Sequence, residues 1–251
     1  MLRVTEVANR DSDLLENTVV VRGTLSYSAR QWQLTEPNDT SGMFIALENS
    51  VNNDPKMNNV VHRLTRLSHQ LLDNPMIWTN AQITGKLIRT GAGYLSLTDI
   101  SQITADQKHV TITLPRTEDL PTASSTILQD ISQDIEVNQS KTKLFSGYLL
   151  GKPANPQTVF FVVPNRLYRD IHQPERRFVA QITDIQACGL LMRLEEHDRI
   201  SYQYTFECDL AVEGIIRKKP DKVQFPIEIT TIKQMRLFGH NYVITWTSEA
   251  M

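Results

Sequence analysis

Short runs in which apolar and polar side chains alternate dominate the first part of the chain. Thr18 to Leu25 is a β-branched stretch, with Gly23 placed for a bulge or sharp bend. Gln31-Trp32-Gln33-Leu34 alternates polar and apolar and predicts a short strand. Turn residues follow from Pro37 to Gly42, and Met43 to Leu47 is a third, largely apolar strand in which Phe44 is expected in the core. After a polar loop, Val60, Val61, Leu64, Leu67, Leu71 and Leu72 recur at three- and four-residue intervals, predicting an amphipathic helix that Asn74-Pro75 ends. Trp78 to Leu87 resumes the strand pattern around Gly85. Arg89 to Gly93 is a glycine-rich turn, and Tyr94 to Ile100 runs back from it.

The second part repeats this theme less clearly. Leu144–Leu150, Val159–Val163 and Phe178–Ile182 predict strands. Thr205 to Ile216 carries Val212-Glu213-Gly214, the same apolar-polar-glycine phrase as Ile83-Thr84-Gly85 in Ile83 to Leu87. A basic turn from Arg217 to Lys222 leads into Val223 to Ile232. No middle helix is expected in this part.

Three strands, a helix and two strands, over residues 15–105, make an element order that resembles an OB-fold, a five-stranded Greek-key barrel. Val21-Arg22-Gly23-Thr24-Leu25 resembles its first strand, and Ile83 to Leu87 with Tyr94 to Ile103 resembles its closing hairpin. The expected fold class is mainly β, with two small OB-like barrels, the first having an amphipathic helix between its third and fourth strands.

Charge divides the chain. Residues 1–110 carry 10 basic and 11 acidic side chains, residues 111–140 carry 1 and 5, and residues 141–251 carry 15 and 12. The middle stretch also holds Pro115, Pro121 and a Thr/Ala/Ser run. The expected domains are therefore a barrel over 1–110, an acidic connector over 111–140 and a second β-rich domain over 141–251. Ile127, Leu128, Ile131 and Ile135 fall at helical spacing in the connector, suiting either a docked helix or a partner-binding segment. No apolar run reaches membrane-spanning length, and the start of the chain shows no secretory pattern. Cys188 and Cys208 are too few for a disulfide framework, so a cytoplasmic protein without cofactor or membrane is expected.

Motifs for catalysis are missing from the sequence: there is no phosphate loop, dinucleotide fingerprint, nucleophile elbow or zinc spacing. Six histidines are scattered, and His62 and His69 alone share a predicted helix. Glu195, Glu196 and Asp198 read as a solvated turn, and the two cysteines as small core residues. The chain is expected to be non-enzymatic.

OB-folds bind through the second and third strands and flanking loops, stacking bases on aromatics and meeting phosphates with cations. The resemblance thus implies Tyr27, Arg30 and Trp32 around the first turn, and Arg89 and Tyr94 at the closing hairpin, as nucleic-acid contacts. Trp32, between two glutamines, is equally suited to either face. In the second domain, Arg217, Lys218, Lys219 and Lys222 at a hairpin tip, with the pair Arg176 and Arg177, make either a solvated tip or, if they share a face, a phosphate groove. The formal charge of −2 argues against a dedicated nucleic-acid domain, and the end of the chain lacks the acidic tail of bacterial single-strand-binding proteins. Two functions follow as expectations. One is non-catalytic binding of single-stranded DNA or RNA within a larger assembly. The other is a scaffold role toward other protein subunits, with further copies of the chain among the partners. Small-ligand binding has no residue pattern in its favour.

Overall fold

A computed structural model describes residues 1–28, 31–37, 42–48, 60, 61, 64, 65, 67, 77–107, 109–116, 118, 142–154, 157–164, 179–194, 206–219, 227–239 and 242–248. They fall into two compact units, Met1–Thr117 and Glu118–Met251.

The first unit opens with strand β1 (Leu2–Arg3) and helices α1 (Val4–Asn9) and α2 (Asp11–Leu14). Strands β2 (Thr18–Ser28), β3 (Gln31–Thr35), β4 (Phe44–Leu47), β5 (Ile77–Arg89), β6 (Leu95–Gln107) and β7 (Val110–Leu114) follow. Strand β2 pairs with β3, β3 with β4, β6 with β5 and β5 with β2, all antiparallel, while β4 pairs with β6 in parallel. These five strands close a barrel, an arrangement compatible with an OB-like fold. Alternation fills it: Val19, Val21 and Leu25 from β2 and Trp32 and Leu34 from β3 point inward and are buried. Residues 60, 61, 64, 65 and 67 are helical, and Val61, Leu64 and Leu67 are buried.

Two segments depart from the sequence reading. Thr111 to Leu114, assigned by charge to the start of the connector, belong with Val110 to a strand paired with β6 that buries Ile112 and Leu114. The N-terminal residues, read only for targeting signals, dock on the barrel. Strand β1 adds to β2 in parallel, Val4 and Val7 are fully buried, and Thr5 donates both its backbone N–H and its hydroxyl to Glu36 Oε1, at 3.0 and 2.9 Å.

The second unit contains β8 (Thr142–Lys152), β9 (Val159–Val163), β10 (Ala180–Ile182), helix α3 (Ile185–Leu194), β11 (Phe206–Lys218), β12 (Ile227–Phe238) and β13 (Val243–Thr247). Its pairings run β8–β9–β10–β12–β11 and back to β8, with β10–β12 the parallel step, so they follow the same circuit as the first unit. Helix α3 corrects the expectation that no middle helix exists here. It follows the third strand of the circuit and buries Ala187, Leu190, Leu191 and Leu194.

The matching glycine phrases lie at matching places. Gly85 in β5 and Gly214 in β11 both sit on the strand that is fourth in chain order among the five of its circuit, at register shifts against the fifth in chain order. The bend brings a fifth-strand carbonyl close: a Cβ on Gly85 would lie 2.9 Å from the Thr98 oxygen, and one on Gly214 2.7 Å from that of Thr231. Neither oxygen can move without breaking the ladder. Gly214→Ala is therefore expected to destabilise the second unit by about 1–3 kcal/mol in urea unfolding. An unchanged midpoint would show that the bend has room for a methyl group. Among the described residues, no helix is long and apolar enough to cross a membrane.

Candidate nucleic-acid interface

Register decides which way the aromatics of the first barrel face. Tyr27 and Trp32 are cross-strand partners in β2 and β3, with ring centroids 5.2 Å apart and planes at 54°. Trp32 is only 2% exposed. Its indole N–H donates to Thr65 Oγ1 at 2.6 Å, and that hydroxyl donates to the Val61 carbonyl at 3.0 Å. The tryptophan expected as a stacking surface is thus a core residue tying the barrel wall to the helical residues, with no ring face left for a base. Tyr27 is half-buried against it. Arg30 lies outside the described residues.

The closing hairpin presents a different surface. Within it, Thr90 N–H donates to the Tyr94 carbonyl and Gly93 N–H to that of Thr90, both at 2.9 Å. Arg89 forms an ion pair with Asp11 and donates Nη1 to the Gly93 carbonyl at 2.7 Å. Its charge is matched by an acid, so Arg89 clamps the hairpin to the N-terminal segment.

Tyr94 is 42% exposed, and its ring centroid is 6.1 Å from that of Phe44, tilted by 41°. Parallel pairing of β4 with β6 brings them together. Ala46 and Leu47 are in register with Ser96 and Leu97, the Ser96 hydroxyl donates to the Ala46 carbonyl at 3.1 Å, and Glu48 N–H donates to the Leu97 carbonyl at 3.0 Å. Phe44, expected in the core, is half-buried instead, because it begins β4 at the barrel's end. Met43 before it is 39% exposed. Met43, Phe44 and Tyr94 form an apolar, aromatic surface at the third strand and the hairpin joining the fourth and fifth. Sequence reasoning named Tyr94 and missed the other two, since a continuous apolar run does not show where the barrel ends.

In the second unit, Arg217 and Lys218 end β11 and are exposed, and their side chains have no partner among the described residues. Lys219 is committed to the barrel: its Nζ donates to Gln181 Oε1 at 2.6 Å and lies 3.9 Å from Glu228 Oε2. Arg176, Arg177 and Lys222 lie outside the described residues, as do His62, His69, Glu195, Glu196 and Asp198.

Both thiols are held protonated at neutral pH. Burial, with help from the Asp184 charge, pushes Cys188 up to about 11, and its thiol donates to the Ile182 carbonyl at 3.5 Å. Burial, followed by the Asp209 charge, raises the buried Cys208 thiol as well. Reactive cysteines have depressed values, so neither site favours a thiolate nucleophile. Compared with known proteins, the chain matches no family model, no curated protein and no solved structure.

Proposed function

We propose that the chain is a non-catalytic protein of two OB-like barrels that binds single-stranded nucleic acid as part of a larger assembly. The observation that carries this reading is the exposed Tyr94 ring set against Phe44, with Met43 beside it, on the third strand and closing hairpin of the first barrel. Aromatic rings at such places stack bases irrespective of sequence. Arg217 and Lys218 supply cations for phosphates in the second unit.

A scaffold role toward other protein subunits is favoured by a separate observation. Many cations are already matched by acids: Lys86 with Glu16 at 2.6 Å, Arg89 with Asp11, Arg236 with Glu118, and Lys219 near Glu228. Paired cations release fewer counterions on binding a polyanion.

Fluorescence anisotropy with labelled single-stranded DNA, RNA and duplex DNA, at about 50 and 300 mM salt, separates the two. Salt-sensitive binding that prefers a single strand is expected. Tyr94→Ala should weaken it by about 1–3 kcal/mol, roughly 5- to 150-fold. Replacing Arg217 and Lys218 together by Glu should flatten the salt dependence, by roughly 0.7 in slope for each lost contact. Absence of binding at tens of micromolar protein would overturn the nucleic-acid reading and leave the scaffold role.

A further inference from the structure

Strand β1 creates a juxtaposition that no local pattern announces. In its parallel pairing with β2, Arg3 is the register partner of Arg22, which places two guanidinium-bearing residues side by side on neighbouring strands. Both are exposed, and neither is ion-paired to an acid among the described residues. Like charges directly across a strand pair are destabilising unless something offsets them.

The pair borders a cleft of about 310 Å³ whose other walls are Gly23, Glu36, Pro37, Thr79 and Asn80. That volume is at the low end of small-molecule sites. Glu36 is the one acid in this lining, and its Oε1 takes both donors of Thr5. The walls therefore carry two positive charges against one negative.

Arg22 is held in place. Its Nε donates to Asn80 Oδ1 at 3.0 Å, and Asn80 Nδ2 donates to Asp106 Oδ2 at 3.0 Å. Asp106 thereby orients the amide, which accepts from Arg22 and restrains the guanidinium plane, while the two terminal nitrogens remain for a ligand. A planar guanidinium so restrained meets an oxyanion with two parallel hydrogen bonds.

From this geometry we infer that the cleft binds the phosphate group of a small phosphomonoester. Arg3 and Arg22 hold the phosphate, and Thr79, Asn80 and Glu36 provide polar groups for a hydroxyl-bearing body. None of these residues belongs to the Met43–Phe44–Tyr94 surface, so the inference stands apart from nucleic-acid stacking there.

Thermal unfolding of the full chain tests it, with inorganic phosphate, ribose 5-phosphate or ribose added at about 10 mM, where a ligand of millimolar Kd raises the midpoint measurably. Ribose 5-phosphate is expected to raise the midpoint of the first unit and ribose to leave it unchanged. Arg3→Met and Arg22→Met should each remove the shift while the unliganded protein unfolds at an equal or higher midpoint. An equal shift from inorganic phosphate would identify free phosphate as the ligand by the same chemistry. No shift with either phosphate compound, or a shift that survives in both variants, would overturn the inference. Phosphorus NMR line broadening of ribose 5-phosphate by the wild-type chain, absent with either variant, provides a readout independent of stability.

Discussion

Trp32→Ala is expected to destabilise the first unit by about 3–5 kcal/mol, the range for removing a buried aromatic side chain. The ring is 2% exposed, packs on Tyr27 and donates its N–H to Thr65. Deleting it leaves a cavity in the core and removes the tie to helical Thr65. Trp32→Phe keeps most of the volume and loses the hydrogen bond, so about 1–2 kcal/mol is expected there. Hydrogen exchange of the β2 and β3 amides reports on this unit separately, which matters because two compact units need not unfold in one transition. A Trp32→Ala protein with unchanged exchange but weakened oligonucleotide binding would instead place the ring on the surface as a stacking platform.

Asp184→Ala should cost the second unit about 2–4 kcal/mol. One carboxylate oxygen accepts the Ala187 N–H at 2.9 Å, capping α3, and the other accepts the Ile232 N–H at 2.8 Å from β12. Ile232 lies where the β11–β12 register slips, from Glu213 opposite Gln234 to Gly214 opposite Ile232. A bulge disturbs the ladder, and Asp184 satisfies the amide at that place. Losing the cap costs about 1 kcal/mol, and an orphaned buried N–H adds about 1–3. The adjacent Thr183 N–H bond to the Ile229 carbonyl, at 2.9 Å, remains in the variant and keeps the chain close to β12. Faster exchange at both Ala187 and Ile232, with a lower urea midpoint, is the expected signature. A loss confined to Ala187 would mean that Asp184 only caps the helix.

These two residues differ in how far the sequence foretold them. Gln31-Trp32-Gln33-Leu34 already announces a strand with Trp32 and Leu34 on one face, and β3 alternates in that way. Alternation says which residues share a face and nothing about which face looks inward. That choice came from the pairing of β3 with β2, which sets Trp32 opposite Tyr27 and turns both toward the barrel's interior end. Asp184 had no visible role, because one of its partners lies in a distant strand. Helix α3 was hidden for a related reason. Gly189 disfavours a helix interior by about 1 kcal/mol, and Ile185, at 87% exposure, breaks the apolar stripe.

The sequence by itself determined that the protein is mainly β. It also placed most strands of both units and the paired glycine phrases around Gly85 and Gly214, because side-chain period and backbone freedom are local properties. Tertiary structure alone decided the circuit of pairings and the docking of Val4 and Val7. It decided too that Arg89 is matched by Asp11 while Arg3 stands beside Arg22, and that Tyr94 meets Phe44. Each of these joins residues from separate elements, and only long-range pairing and packing set what such residues face.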